Sequence, residues 1–294
     1  MPQTINTNLN SLNAQRNLSS SQSSLAMSMQ RLSSGLRVNS AKDDAAGLAI
    51  AERMTTQVRG MNTAIRNAND GISMSQTAEG AMGKVADSLQ RMRELSVQSA
   101  NATNSVSDQQ SLDKEFGELS KEIQRVLGNT TFNGQHVLGT DARSFVFQVG
   151  ANTTGNDTVK IDTTDLTADA TITAVAGTDN TGAGRATIGP DAGGTTTLDA
   201  TTVQAVIDKI DTALTTINDK RAVMGASQSR FESVITNLQT SVENQSAAKS
   251  RIMDTDFAAE TANLSRAQIL QQAGNAMVAQ ANQLPQQVLR LLQG

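Results

Sequence analysis

The residues able to carry acid–base or metal chemistry are few and isolated in this sequence. His136 is the single histidine, cysteine is absent, and Asp43 with Asp44 is the one adjacent pair of aspartates. His136 follows the turn-forming Asn133 and Gly134, and without a second histidine or a cysteine nearby it is a poor metal ligand or general base. Asp43 and Asp44 suit the start of a helix, where carboxylates complement the helix dipole. We therefore predict no catalytic, cofactor or metal site.

The remaining charged residues indicate neither an enzyme nor a nucleic-acid surface. The formal net charge is -4, and Lys and Arg are interspersed with Asp and Glu, so there is no basic stripe to neutralise phosphates. The chain offers no activated nucleophile and no glycine-rich phosphate loop. No apolar run approaches the roughly 18 residues that span a bilayer, and the first ten residues lack the regions of a cleavable signal. We predict a non-enzymatic protein without membrane insertion that, if exported, uses another route.

The composition and the spacing of apolar residues predict that long helices carry these side chains. Aromatic residues make up only 2% of the chain, which disfavours a large compact core, whereas aliphatic helices that pair along a seam need few aromatics. Apolar residues recur at alternating steps of three and four over 50–72 and, after a phase slip, over 78–95. With a capping box at Ser40 and Asp43, this spacing predicts a helix from about residue 41 to about residue 100, on the order of 80 Å long.

The middle of the chain changes character. A capping box at Ser107 and Gln110 predicts a shorter helix that ends near Gly128 and Asn129. RSFVFQV at 143–149 alternates apolar and polar residues, and TVKI at 158–161 follows a loop, which predicts a β-hairpin. The next stretch, to residue 200, is rich in Thr, Ala, Gly and Asp, with candidate strands at TITAV (171–175) and RATIG (185–189). It is either a small β-rich lobe or a flexible insert.

The second half of the chain returns to helical periodicity. A capping box at Thr201 and Gln204 precedes a heptad seam over 203–242, the clearest coiled-coil pattern in the chain. After a break at MDTDF, residues 257–294 carry a weaker stripe of small apolar residues that resembles the stripe over residues 1–40. A seam gains its stability only when it leaves water, so the seams on either side of the hairpin must pack against each other.

The predicted fold class is mainly α, a long antiparallel coiled-coil rod folded back on itself, with a β-hairpin and a small β-rich outer insert. We divide it into an N-terminal helix (1–42), a first rod segment with the hairpin (43–165), an insert (166–200), a second rod segment (201–254) and a C-terminal helix (255–294). The two terminal seams bury too little to fold unaided, so we expect disorder in the monomer and folding coupled to assembly. Head-to-tail contacts that do not close give a helical filament.

Long motifs in both halves resemble bacterial flagellin. They are SGLRVNSAKDDAAGLAI at 34–50, LQRMRELSVQSAN at 89–101, FNGQHVL at 132–138, SRFESVITNLQTSV at 229–242 and SRAQILQQAGNAMVAQANQLPQQVLRLL at 265–292. The resemblance covers roughly 1–165 and 200–294. It implies a structural protein whose terminal helices line the core of an extracellular flagellar filament, exported unfolded by the flagellar type III apparatus. Implied partners are further copies of the chain, an export chaperone, and the hook-associated and cap proteins.

The resemblance also implies a surface that packs between subunits and that Toll-like receptor 5 senses on the monomer. The matching positions here are Leu89, Gln90, Arg91, Leu95, Gln98, Glu115, Ile210 and Leu214. Val288, Leu291 and Leu292 resemble a C-terminal polymerisation segment that cytosolic inflammasome receptors also read. No cofactor is implied. The Thr-rich insert is the candidate for O-linked glycan.

Two other functions fit part of the pattern. The hook–filament junction protein has similar chain ends but matches the long motifs less well. An intracellular coiled-coil scaffold would account for the seams, yet it would not need weak helical seams at both ends. The filament subunit accounts for both features.

Overall fold

The computed structural model describes residues 7–190, 194 and 196–292, with the side chains of 284–292 outside the description. The chain divides into two compact units, unit 1 (Met1–Val58 with Glu243–Gly294) and unit 2 (Arg59–Val242). The helices are α1 (Leu9–Ser34), α2 (Ala45–Ser99), α3 (Val106–Asn129), α4 (Ala170–Ala176), α5 (Ala200–Met253) and α6 (Phe257–Leu292). The strands are β1 (Thr131–Phe132), β2 (Gln135–His136), β3 (Ser144–Gln148) and β4 (Thr158–Asp162), with a short 3-10 turn at Gly155–Asp157.

The mainly α fold class is confirmed, and α2 and α5 run antiparallel within unit 2. Gly71 of α2 approaches Phe231 of α5 so closely that an added Cβ would lie 2.7 Å from the ring. Further along, the Gln228 amide donates to the Glu79 carboxylate at 2.8 Å. Much of both predicted seams lies in the core, although Ile50 at the start of the first seam is exposed. Their buried members include Met82, Val85, Leu89, Met92, Leu95, Val203, Ile210, Ile217, Met224 and Phe231.

The start of α2 lies four residues after the predicted position. The Oδ1 of Asp44 accepts the Gly47 N–H at 2.8 Å and so caps the helix, which begins at Ala45. Asp43 belongs to the preceding turn, where its Oδ2 accepts the N–H and the hydroxyl of Ser40, both at 2.9 Å. These bonds hold the pKa of the Asp43 carboxyl below its ordinary value. The predicted capping box at Ser40 and Asp43 therefore does not begin α2, although Asp44 does serve the helix start as expected.

The other two predicted capping boxes are wrong by about two residues. Ser105 and Asp108 form the reciprocal box that begins α3, in place of Ser107 and Gln110. Helix α5 begins at Ala200, where the carbonyl of Asp199 accepts the first helical N–H groups, so Thr201 is already inside the helix. In both segments several Ser, Thr and Asp residues stand within one turn, and tertiary packing selects among them.

The predicted hairpin is confirmed. Strands β3 and β4 pair antiparallel, with Phe145 opposite Ile161 and Phe147 opposite Val159. Phe147 meets Phe231 of α5 edge to face, with ring centroids 5.6 Å apart, so the hairpin closes over the helix pair of unit 2.

The two strands predicted in the insert are wrong. TITAV lies in helix α4, which Asp169 caps by accepting the Thr171 N–H at 2.9 Å. RATIG has no strand pairing in the part of the insert that the structure describes. Ile172, Val175 and Ala176 are buried in the unit 2 core, so packing of the helical stripe overrides the β-propensity of Thr and Ile.

Unit 1 contains the pair formed by α1 and α6. Helix α1 ends at Gly35, whose φ of 71° is the left-handed conformation that glycine adopts without strain. The Arg37 N–H then donates to the Met253 carbonyl at 2.6 Å, and the Thr255 N–H donates to the Gly35 carbonyl at 3.0 Å. The predicted break at MDTDF is confirmed by the gap between α5 and α6.

The five-part division of the chain stays a prediction.

Candidate subunit-contact and recognition surfaces

The eight residues predicted for the contact surface divide between core and surface of unit 2. Leu89, Leu95 and Ile210 are at most 1% exposed and pack in the core. Their heptad positions require this, because the same residues form the seams of α2 and α5. These three side chains are thus buried in the folded chain, and the assignment of the eight residues to a contact surface stays a prediction. The remaining members are exposed or, in the case of Leu214, half-buried: Gln90, Arg91, Gln98, Glu115 and Leu214.

Arg91 joins two helices on this surface. Its Nη1 lies 3.0 Å from the Glu94 carboxylate in the same helix, and its Nη2 lies 2.9 Å from the Glu115 carboxylate of α3. The hydrogen bonds to Glu94 and then to Glu115 raise the pKa of Arg91 above its ordinary value. Each group is about half exposed, so the pairs orient side chains more than they stabilise the fold.

Arg93, two residues further along, joins α2 to α5. Its Nε donates to Asp211 Oδ1 at 2.7 Å and its Nη2 to Oδ2 at 3.3 Å, a forked arrangement that matches the planar guanidinium. The hydrogen bond to Asp211 raises the pKa of Arg93. The local sequence gives no sign of this ion pair, since Asp211 lies 118 positions from Arg93. The surface thus presents guanidinium groups in fixed positions beside exposed Val97.

The insert lies against α3 through buried polar side chains that the sequence analysis missed. Ser120 donates its hydroxyl to the Ala176 carbonyl at 2.7 Å, and the Gln124 amide donates to the Gly177 carbonyl. The Oε1 of Gln109 accepts the Leu198 N–H at 2.8 Å. These side chains are at most 5% exposed. The polar residues that flank the apolar stripe of α3 in the sequence could have indicated these contacts, because a buried polar group needs a hydrogen-bond partner.

A forked ion pair adds to this attachment. Arg185 of the insert donates from both Nη atoms to the two carboxylate oxygens of Asp113 in α3, and Asp113 Oδ1 also accepts the Ile188 N–H at 2.9 Å. The side chains are 19% and 14% exposed, and the guanidinium lies 6.0 Å from the centroid of the Phe116 ring. The sequence left two interpretations of the insert, a β-rich lobe and a flexible segment. Neither matches this arrangement.

Unit 1 has a different kind of surface, in which large apolar side chains face solvent. A groove of about 530 Å³ runs between α1 and α6, lined by small residues such as Ala14, Ala273 and Gly274 and by Leu270 and Met277. Val288, Leu291 and Leu292 lie outside the described side chains. The exposed apolar residues of the unit are Leu9, Leu12, Met27, Met29, Ile50, Phe257, Ile269, Leu270 and Met277.

Other kinds of site have little support in the described ranges. No cluster of three or more His, Asp or Glu side chains could hold a metal ion there. His136 lies at the end of the β1–β2 turn, where its N–H donates to Asp141 at 3.2 Å and its Nδ1 is buried without a partner. Among the described helices, none is both long and apolar enough to cross a membrane.

Two family models match the chain. The bacterial flagellin N-terminal helical region matches residues 5–142, and the bacterial flagellin C-terminal helical region matches residues 207–292. The chain belongs to the bacterial flagellin family. A flagellin of Halalkalibacterium halodurans is 45% identical over 288 residues, which cover 98% of this chain and 99% of that protein. A flagellin of Xenorhabdus nematophila is 45% identical over 99% of this chain and 100% of that protein.

Among solved structures, a crystal structure of Bacillus cereus flagellin covers 63% of this chain and 94% of its own, with 30% identity and a TM-score of 0.46. Both flagellin relatives match from end to end, which favours the filament subunit over the junction protein and the intracellular scaffold. This flagellin is a structural subunit of the bacterial flagellar filament, an extracellular, self-polymerising assembly.

Proposed function

We propose that this flagellin polymerises chiefly through the terminal helix pair of unit 1. The distribution of exposed large apolar residues carries this proposal: nine lie in unit 1, whereas Val97, Val146 and Val223 are the three in unit 2 among the described residues. Contiguous apolar surface on a soluble chain marks a site of association. Each such side chain gains about 1.5 to 3 kcal/mol when a neighbouring subunit removes it from water.

The same imbalance supports folding of the terminal helices on assembly. Helix α1 has a buried face made of serines, such as Ser11 and Ser28, so the α1–α6 pair buries little apolar area by itself. Ordering a residue costs about 1 to 2 kcal/mol of backbone entropy. Contacts from neighbouring subunits would supply what the pair lacks, and Val288, Leu291 and Leu292 stay proposed members of the polymerisation segment.

Polymerisation of purified full-length protein, seeded and followed by light scattering and electron microscopy, tests this proposal. Ile269→Ser and Met277→Ser remove apolar side chains that are 66% and 62% exposed, so they should raise the critical concentration while leaving the monomer folded. Val146→Ser is the matched control, since this side chain is 56% exposed but lies on the hairpin of unit 2. Equal effects of all three substitutions would contradict a dominant role of unit 1.

We further propose that the exposed part of the predicted surface is recognised by Toll-like receptor 5. Gln90, Arg91, Gln98, Glu115 and the half-buried Leu214 would make the contact, while buried Leu89, Leu95 and Ile210 would only support it. Arg91→Ala should weaken signalling by purified monomer in receptor-reporter cells. Arg125→Ala is the control, because Arg125 is also an exposed arginine paired with a glutamate, Glu122. Equal signalling by both variants would exclude Arg91 from the contact.

The remaining expectations from the family form one export proposal. The chain would leave the cell unfolded through the flagellar type III apparatus, held by an export chaperone, and would meet the hook-associated and cap proteins at the filament ends. It would have no catalytic activity, and inflammasome receptors would read Val288, Leu291 and Leu292. Family membership supports these points. Secretion assays in strains with and without a working flagellar export gate test the route, since secretion without the gate would contradict it.

A further inference from the structure

One acidic side chain is buried in the terminal helix pair. Glu260, in the first turn of α6, is the only charged residue in the buried class within the described ranges, and its side chain is 7% exposed. Arg31, in the last turn of α1, brings its Nη1 to 3.9 Å from the Glu260 carboxylate and is itself 29% exposed. A buried charge is costly unless an opposite charge stands beside it.

The surroundings of this pair are mixed. The groove beside Glu260 has a volume of about 350 Å³ and is lined mainly by small or polar residues, among them Ser20, Ser24 and Ser28, while its large apolar members, Met27 and Leu270, are 46% and 51% exposed. Small polar residues and half-exposed apolar ones make a poor set of knobs and holes, so apolar packing within the pair does little to select one alignment of α1 against α6. A polar or charged pair at a helix seam is the usual means of selecting register in that situation.

Two other contacts agree with the alignment that the pair defines. A Cβ added to Gly274 would lie 3.2 Å from Cδ1 of Leu18, so α1 and α6 approach closely at this point. The Ser11 hydroxyl donates to Asn282 Oδ1 at 2.7 Å. Residue numbers fall along α1 as they rise along α6, as one antiparallel register requires. A slip of one helical turn, about 5.4 Å, would separate all three contacts.

We propose that Arg31 and Glu260 are the residues that determine the register of the terminal helix pair, and so the pattern of apolar side chains presented to neighbouring subunits. The proposal rests on polymerisation through unit 1. Leu12 and Met27 of α1 and Ile269 and Met277 of α6 are exposed, and the distances between the two sets change when one helix slides along the other. A misaligned pair would present the same residues at the wrong spacing.

Charge reversal with rescue tests the pair in the full-length chain. Arg31→Glu and Glu260→Lys should each raise the critical concentration for polymerisation at least about tenfold, because each leaves like charges together in a mostly buried position. The double variant, Arg31→Glu with Glu260→Lys, should return to within about threefold of the original chain. Arg266→Glu is the charge-matched control in the same groove, because the exposed Arg266 donates to Asn263 of its own helix at 3.2 Å.

Register itself can be read by a disulfide, since the chain contains no cysteine. A Cβ at Gly274 would lie 3.6 Å from Cβ of Leu18, a separation that suits a disulfide between Leu18→Cys and Gly274→Cys. Oxidised filaments of this variant should contain the intramolecular crosslink. Adding Glu260→Lys should abolish it, and adding Arg31→Glu as well should restore it.

The outcomes separate the two proposals. Failure of the unmodified chain to polymerise refutes the proposed assembly through unit 1. Polymerisation of the unmodified chain with equal assembly and equal crosslinking by Glu260→Lys refutes the register role alone. Weakened assembly that the double variant does not rescue, with a similar effect of Arg266→Glu, would show that the net charge of the groove matters rather than this pair. Circular dichroism of each monomer verifies that unit 2 stays folded throughout.

Discussion

Replacing Asp113 by alanine removes the carboxylate that holds the insert on α3. The contacts of this carboxylate determine how far the free energy of unfolding should fall. The Arg185 side chain, which is 19% exposed, would lose the carboxylate that pairs with its guanidinium. The Ile188 N–H would lose its acceptor. Removing one partner of a buried pair costs about 3 to 5 kcal/mol. The residual exposure of 19% and 14% and the Phe116 ring beside the guanidinium reduce this, so we expect about 3 kcal/mol.

A loss of that size corresponds to a fall in Tm of roughly 6 to 12 °C for a domain of about 180 residues. Thermal and urea unfolding of the full-length monomer, followed by circular dichroism, measure it. Glu122→Ala is the matched control, because Glu122 pairs with Arg125 on the same helix while both side chains are about half exposed. We expect a change below about 1 kcal/mol there.

The double variant Asp113→Leu with Arg185→Leu separates a lost interaction from an unpaired charge. It should recover most of the stability that Asp113→Ala loses, because neither charge remains buried. Asp113→Ala could instead unfold with the same midpoint as Glu122→Ala while proteolysis releases the insert. The insert would then fold independently of the unit 2 core, and the reasoning above would be wrong.

Two further predictions concern the helices themselves. Gly71→Ala should destabilise the monomer by about 1 to 3 kcal/mol in urea unfolding, because its Cβ would lie 2.7 Å from the buried Phe231 ring. The Cβ of Gly80→Ala would meet nothing within 4 Å, so this variant should be neutral or up to about 1 kcal/mol more stable. The hydrogen bonds from Ser105 lower the pKa of Asp108, so this cap stabilises α3 above the unfolded pKa near 4 and is lost as pH falls through the folded value. The protection of the first amides of α3 against exchange, taken relative to the intrinsic rate at each pH, should therefore fall at acid pH, and Asp108→Asn should abolish that fall.

Local pattern accounted for most of the helical fold. The heptad spacing placed Met82, Leu89 and Phe231 in the core, where the structure has them, because a helix presents every third and fourth residue to the same side. Alternation in RSFVFQV likewise identified the hairpin, since strand side chains alternate between faces. Both signals are complete within a short stretch of chain.

Helix starts and the insert were harder for the same physical reason. Several residues near Ser105 can cap a helix, and the choice between them depends on contacts far away in the chain. TITAV has the composition of a strand, yet it is helical because its apolar stripe joins the core and because Ser120 and Gln124 of α3 donate hydrogen bonds to the Ala176 and Gly177 carbonyls at the end of α4. Isolated propensity cannot anticipate such partners.

Periodicity and motif order, which are properties of neighbouring residues, were enough to predict the helical class, the antiparallel pairing of the seams, the hairpin and membership of the flagellin family. Three features required the folded chain: the burial of Leu89, Leu95 and Ile210 beneath the proposed contact surface, the pairing of Asp113 with Arg185 across 72 positions, and the meeting of Arg31 with Glu260. Such pairings arise only when the folded chain brings distant residues into a shared, poorly solvated space, where burial and charge pairing determine which groups can remain there.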